Sequence, residues 1–181
     1  GVRAKNILAV RGPMTRRRLI ELGVDCPQVY GDPALLLPAI FDNKVKKKYK
    51  IGILPHYVDK DAPWVENCLE QGYNVIDIIN KDPLVVLGRI LECERIITSS
   101  LHGVIVSDAF SIPSAWAKFS DKILGDDFKF YDYFESVKKR RSPIRVDRQT
   151  VASLASMADG RPIIWDPQPL LGALQDYLEK R

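Results

Sequence analysis

The sequence predicts an α/β fold built on a doubly wound parallel sheet, and three observations carry the prediction. From Lys50 onward short apolar runs alternate with longer amphipathic ones, the pattern of parallel strands joined by crossover helices. Proline and glycine stand where such helices would start and stop, as at Pro83 and Gly72. The 181 residues, 46% hydrophobic and 28% charged, have the composition of a soluble globular domain, which excludes a disordered, collagenous or low-complexity chain.

Taken in order, Thr15 to Leu22 reads as a short helix capped by Thr15 and stopped by Gly23. Gly31-Asp32-Pro33-Ala34 reads as a turn leading into Leu35-Leu36-Leu37. Ile51 to Leu54 is a buried strand closed by Pro55, and Trp64 to Gln71 a helix ended by Gly72. Asn74 to Ile79 is the next strand, Pro83 to Cys93 a helix with proline in its first turn, and Arg95 to Thr98 a third strand. Val104 to Phe110 continues as a helix that stops before Ile112-Pro113, and Ser114 to Phe119 is a fourth strand. Asp126 to Phe134 packs aromatics between carboxylates without a clear assignment. Asp147 is expected to cap a helix through Met157, and Asp166-Pro167 to open one reaching about Glu179. A sheet in this order expects its ligands at the carboxyl ends of the strands.

Composition narrows the function. No apolar run approaches the ~20 residues that span a bilayer. Gly1 to Val10 lack the layout of a secretory signal and begin without Met, so a fragment or processed form is expected. Cys26, Cys68 and Cys93 are odd in number and widely spaced, which indicates neither a disulfide framework nor a zinc knuckle and fits a reducing cytoplasm. A formal charge of +4 is too small a surplus to announce nucleic-acid binding. Its basic residues cluster at Arg16-Arg17-Arg18, Lys44 to Lys50 and Lys138 to Arg145, and the plain reading of the two lysine-rich runs is solvated surface.

Three segments can carry chemistry. In Thr98-Ser99-Ser100-Leu101-His102-Gly103 a buried strand runs directly into a helix. Capping by Ser99 or Ser100 would leave backbone N–H groups and the positive helix end above the sheet, an anion site. His102 would sit at its rim as a general acid, with Gly103 allowing close approach of a ligand or another backbone; the alternative is a capped junction with an incidental histidine. In Val10-Arg11-Gly12-Pro13-Met14-Thr15, Arg11 at a strand exit can offer its fork to a carboxylate or phosphate, or merely pair with an acid such as Asp32. In Leu54-Pro55-His56-Tyr57-Val58-Asp59, His56 can bind substrate or serve a nearby backbone group. The phosphate-loop, dinucleotide, nucleophile-elbow and zincin motifs do not occur, and two histidines with scattered carboxylates point to no metal cage.

Five segments, read in order, resemble the polysaccharide pyruvyl transferase family: Val10 to Thr15, Gly31 to Leu36, Ile53 to Asp59, Ser99 to Gly103, and Phe128-Lys129-Phe130-Tyr131-Asp132-Tyr133-Phe134. The resemblance covers roughly residues 7 to 136. It implies that residues 46–145 form a Rossmann-like lobe of a GT-B-like two-lobed fold. Residues 1–45 would be the junction, and residues 146–181 helices packing back on the lobe or towards an amino-terminal one. It further implies transfer of a pyruvyl group from phosphoenolpyruvate, a substrate and not a cofactor, to a saccharide acceptor of a bacterial polysaccharide. By position Arg11 matches the arginine that grips the donor and His102 the acid of the Arg/Ser-Leu-His-Gly motif, with Ser99, Ser100, Leu101 and Gly103 completing the donor site. Many members have Arg where Ser100 stands, so another cation, Lys118 or Lys129, is expected to supply that charge.

The preferred reaction is ketal formation with His102 as general acid and no metal. Two readings stay open beside it: a nucleotide-sugar glycosyltransferase using the same helix end for a diphosphate, and a non-catalytic lobe that binds an anion or sugar. A lipid-linked acceptor would bring the protein to the inner face of the membrane, where Lys138-Lys139-Arg140-Arg141 could be drawn to anionic lipid; the plain alternative is a solvated loop.

Overall fold

Proline starts three of the helices, and the strands they connect pair in a five-stranded, wholly parallel sheet. The computed structural model describes residues 7–41, 44–123, 127–147 and 149–179. The strands β1 (Gly52–Leu54), β2 (Asn74–Val75), β3 (Ile96–Thr98), β4 (Ser114–Lys118) and β5 (Ile144–Arg145) lie in the order β2-β1-β3-β4-β5. The helices are α1 (Pro13–Glu21), α2 (Pro63–Glu70), α3 (Pro83–Leu91), α4 (Leu101–Ala109), α5 (Phe128–Ser136), α6 (Val151–Ser156) and α7 (Gln168–Glu179). Pro13, Pro63 and Pro83 occupy first-turn positions, where the missing N–H has no intrahelical partner to lose.

Strand alternation divides the core. Ile53, Ile97, Ala115 and Ala117 face α2 and α6, where Val65, Cys68, Val151 and Leu154 cover them. Leu54 and Ile96 point the other way onto α3 and α4 through Leu87, Ile90 and Val106. Trp116, on that same face, stacks on Phe130 of α5 with ring centroids 4.3 Å apart. Helices on both faces of a parallel sheet are the doubly wound arrangement.

Several local expectations are corrected. The β2 segment leaves the sheet after Ile76, short of Ile79, because the Asp77 and Asn80 side chains take the amides of Ile79 and Asp82 in turns of their own. The helix written from Val104 begins earlier, at Leu101, and His102 lies in its first turn as expected. Thr15 is not the cap of α1, which starts at Pro13; its N–H and hydroxyl both donate to the buried Asp132 carboxylate of α5, at 3.0 and 2.6 Å. Asp132 thereby caps α1 from another element, and Gly12 is required beside it, since a Cβ there would stand 2.0 Å from the Asp132 carbonyl oxygen. Thr150, not Asp147, caps α6, and Asp147 pairs with Arg145 instead. The segment left unassigned is α5, whose Phe130, Tyr133, Phe134 and Val137 fall at helical spacing on the core side. β5, two residues inside a basic stretch, gave no apolar pattern to read.

The lysine-rich runs are not simply solvated. Lys47 donates to the Leu91 and Cys93 carbonyls at the end of α3, both at 2.8 Å. In the run offered to a membrane surface, Lys139 is buried and bonds Asp108 at 2.7 Å, and Arg141 lies inside against Ser114 and Asp159. Only Lys138 and Arg140 of those four remain exposed. No helix among the described residues is long and apolar enough to cross a membrane.

The division of that run is open to measurement. Lys139→Ala should lower unfolding stability by about 3–5 kcal/mol, because it strands the buried Asp108 carboxylate, whereas Arg140→Ala should stay within about 0.5 kcal/mol of the parent. Urea midpoints of the two variants give the comparison.

Candidate functional site

The strand order reverses between β1 and β3: the chain leaves β1 towards α2 on one face and leaves β3 towards α4 on the other. A crevice opens at the carboxyl ends of strands at such a switch point. Its two walls are the β1 exit, Leu54-Pro55-His56, and the β3 exit, Thr98 to His102. They are tied together by buried hydroxyls. Thr98 Oγ1 donates to the Leu54 carbonyl at 2.7 Å and accepts from the Ser100 N–H at 2.9 Å, and Ser99 Oγ accepts from the His56 N–H at 2.9 Å.

These bonds change the roles expected of the two serines. Ser100 is the cap residue of α4 by position, with extended backbone, but neither its side chain nor that of Ser99 bonds the first-turn amides. The start of α4 at Leu101, His102 and Gly103 therefore carries its positive end without a side-chain cap. Leu101 is buried in the core against Trp116 and Phe130, so it holds the turn in place. His102 is exposed on the first turn. Gly103 makes a close approach, but to the sheet and not to a ligand: a Cβ there would lie 2.4 Å from Thr98 Oγ1 and 3.0 Å from Leu54 Cδ2.

Arg11 follows Val10, which bridges Tyr30 in parallel, and its Nε lies 3.3 Å from Asp32 Oδ2. The pairing with Asp32 foreseen as the structural alternative is thus present. It uses one edge of the guanidinium and leaves the two Nη groups without a hydrogen bond among the described residues. Asp32 spends its other oxygen on the Ala34 N–H, capping the 3-10 segment Pro33–Ala39.

The two candidate replacement cations differ. Lys118, at the end of β4, is paired with Asp127 at 2.6 Å. Lys129, in the first turn of α5, has no ion pair among the described residues and lies 5.7 Å from the Phe130 ring centroid. Burial pushes the Lys129 ammonium below its ordinary value and the Arg11 charge adds to this, with Asp127 and Asp59 opposing. Burial likewise lowers His56, reinforced by Lys129 and His102 and opposed by Asp59. His56 also does what a loop histidine at a strand end commonly does: its Nδ1 accepts from the Val58 N–H, at a long 3.4 Å.

One carboxylate near the site had no role in the sequence reading: Asp59, within the His56 segment, three residues on in the 3-10 turn Tyr57–Asp59. The His-x-x-Asp spacing was the available signal for Asp59. Beside His102 an apolar cavity of about 310 Å³ is bordered by Leu37, Leu54, Ile78, Leu84, Leu87 and Val106. A wider cleft of about 660 Å³ lies away from the switch point, along α5 and residues 138–142, where Lys139 and Arg141 are already engaged by internal acids. Among the described residues no three His, Cys, Asp or Glu side chains converge to hold a metal ion.

The family model for polysaccharide pyruvyl transferase matches residues 3–117. The chain belongs to the polysaccharide pyruvyl transferase family. It is similar to the uncharacterized protein L143 of Acanthamoeba polyphaga mimivirus, 37% identical over 135 residues, covering 68% of this chain and 45% of L143. It is also similar to the succinoglycan biosynthesis protein ExoV of Rhizobium meliloti (strain 1021), 30% identical over 152 residues, covering 81% of this chain and 45% of ExoV. This pyruvyl transferase family chain thus spans about half the length of the curated relatives it matches. No solved structure matches it significantly. The family match takes in Arg11, His56 and the Ser99–Gly103 turn but ends at Ala117, so Lys118, Lys129 and the Phe128–Phe134 segment lie beyond it.

The helix–sheet contact at Gly103 yields a stability prediction. Gly103→Ala should cost about 1–3 kcal/mol, because Thr98 cannot yield without giving up its bond to Leu54; the denaturant midpoint reads the loss.

Proposed function

We propose that this protein transfers a pyruvyl group from phosphoenolpyruvate to a sugar of a polysaccharide, forming a pyruvate ketal, with His102 as general acid. The observation that carries the reading is the start of α4 at the switch point, left without a side-chain cap, for which Arg11, Lys129, His56 and His102 are the candidate anion-binding groups. Three of those groups lie within the family match. Phosphoenolpyruvate carries a carboxylate and a phosphate on one small frame, and a helix end flanked by several cations suits such an anion. ExoV, a succinoglycan biosynthesis protein, supports a polysaccharide as the acceptor. The share of each relative that the chain spans supports a second lobe, as in a GT-B-like enzyme, to close the crevice.

On this reading Arg11 presents its free Nη edge to the donor, with Asp32 fixing the plane of the guanidinium. Lys129 replaces the charge of the arginine that many members carry at Ser100. His102 donates its proton to the methylene carbon, and the first acceptor hydroxyl adds to the adjacent carbon as that carbon becomes electron-deficient. The C–O bond to phosphate then breaks, and the second hydroxyl of the same sugar closes the ketal. Of the two hydroxyl protons released, one restores His102 and one leaves on phosphate. The dipole of α4 and the cations stabilise the charge that gathers on the departing phosphate.

The reading is tested with the full-length protein. Phosphate release should require both phosphoenolpyruvate and an acceptor glycoside; consumption of a sugar nucleotide instead would overturn it. His102→Asn should lower kcat by about 10²–10⁴ with little change in donor KM, while Arg11→Ala should raise the KM for phosphoenolpyruvate. Equal and modest losses in both would assign the two residues structural roles.

A further inference from the structure

The transfer scheme makes no use of the cleft of about 660 Å³ along α5 and residues 138–142. Its size falls in the range of small-molecule sites, about 300–1,000 Å³. Lys139 and Arg141 turn inward, to Asp108 at 2.7 Å and to Ser114 Oγ at 3.1 Å, so the segment that borders the cleft is anchored at two points. The alternate residues Lys138 and Arg140 are exposed on the cleft, and among the described residues neither side chain has a hydrogen bond or an ion pair. Both oxygens of the neighbouring Glu135 carboxylate accept from Arg17, at 3.0 and 3.1 Å, which leaves the two cations unmatched. Tyr131 is exposed at the same cleft, and neither its hydroxyl nor that of Ser142 is hydrogen-bonded among the described residues.

The backbone supplies an independent observation. Lys138 has φ 57°, in the left-handed region, one position past the Val137 C-cap of α5. The Lys138 and Lys139 amides donate to the Glu135 and Phe134 carbonyls at 3.4 and 2.9 Å, closing the turn that glycine usually makes because a Cβ is crowded there. The Lys138 side chain bonds no α5 carbonyl, and the attraction of its charge to the helix end is small at an exposed site. A side chain kept at a strained position that its turn does not explain points to a ligand.

We propose that this cleft is a second saccharide site that takes a carboxylate-bearing sugar, with Lys138 and Arg140 gripping the carboxylate and Tyr131 and Ser142 serving the sugar hydroxyls. On the pyruvyl-transfer reading the product is such a sugar, since its ketal keeps the carboxylate of the donor. The cleft lies away from the switch point, so it holds acidic glycan without occupying the crevice. The identity of the acid rests on that reading; recognition of a carboxylated sugar rests on the cleft. Two exposed cations in a recess suit one compact anion, whereas an anionic lipid surface draws on clusters of about 4–8 basic residues. Half of this run of four is turned inward.

Titration calorimetry of the full-length protein gives the test, with a methyl galactoside bearing a pyruvate ketal as probe and its methyl ester, the same shape without the charge, as control. Both are measured in an Arg11→Ala background, which weakens an anion at the crevice and leaves the cleft to report. The acid should bind about tenfold more tightly than the ester, and Tyr131 ring-proton signals should shift as it is added. Lys138→Gly combined with Arg140→Ala should weaken the acid by about tenfold or more and leave the ester unchanged. Both changes keep the fold, since glycine suits the left-handed position and the Arg140 side chain bonds nothing among the described residues. Lys138→Gly alone should lose affinity while its unfolding midpoint rises by about 2–4 °C; a lowered midpoint assigns the lysine to the fold and overturns the proposal. So does the absence of binding, equal affinity for acid and ester, or unchanged affinity in the double variant. Vesicles of phosphatidylglycerol that sediment with the parent and not with the double variant, while the acid does not bind, would make the cleft a membrane contact instead. If the acid binds as expected but phosphoenolpyruvate is not turned over, the transfer reading fails and the cleft stands; turnover without binding at the cleft has the reverse meaning.

Discussion

The structure turns on the bond between Thr98 Oγ1 and the Leu54 carbonyl, with Ser99 beside it. At the switch point two neighbouring parallel strands part to opposite faces of the sheet, so the ladder that pairs them has to end, and the backbone groups just past its end lie where water cannot reach. Thr98, Ser99 and Ser100 are all buried there. The Leu54 carbonyl, the His56 N–H and the Ser100 N–H each find a partner in a hydroxyl of β3 or its exit. Buried backbone groups left unpaired cost about 1–3 kcal/mol each, so this hydroxyl pair allows the crevice to exist in a dry sheet end. The Ser99 hydroxyl is taken up by one of these bonds and the Ser100 side chain bonds no first-turn amide, which leaves the helix end open to an anion. Sheet integrity and ligand chemistry thus share the same few atoms.

The charges around the crevice come from parts of the chain far apart in sequence, and the packing explains how they meet. Arg11 is carried by the segment that precedes α1, Lys129 by α5, and His56 and His102 by the strand exits. α1 and α5 are clamped by the Thr15–Asp132 bonds inside and by the Arg17–Glu135 pair outside, at 3.0 Å. The exposed pair contributes little in water. The Asp132 carboxylate, buried and accepting both an N–H and a hydroxyl at a helix start, is the stronger link. Through it the position of Arg11 is fixed relative to Lys129, although the two charges repel.

The parts legible in the sequence were those governed by local rules. Proline starts, the Gly72 stop and the apolar runs of β1, β3 and β4 marked the elements, because propensity and burial agreed there. The edge elements were misread where side chains compete with the ladder, as Asp77 and Asn80 do after β2, or where the strand is two residues long, as in β5. In the site, the exit segments of Arg11, His56 and His102 were visible because a strand that ends in a polar residue before a helix start is a local pattern. Asp132 as the cap of α1 and the Ser120–Asp59 bond join residues tens of positions apart, and no spacing rule reports them. Lys139 shows the same limit in reverse: a basic run reads as surface, yet its burial is decided by Asp108, 31 positions away.

The balance of charge at the crevice suggests why its cations are half-buried and not exposed. An exposed lysine would hold its charge at no cost and bind an anion weakly, since water screens it. A cation partly removed from water interacts more strongly, but burial also favours loss of its proton, as the lowered Lys129 and His56 values reflect. The fold meets both demands by placing acids one step behind the cations: Asp32 behind Arg11 and Asp127 behind Lys118. Asp32 is also held by the Ala34 amide and Asp127 by the Lys118 ammonium, so neither is free to swing forward and neutralise the crevice. An anion entering between the cations would meet positive charge at the front and fixed negative charge at the back, which favours a small, compact anion seated at the helix end over a longer one reaching past it.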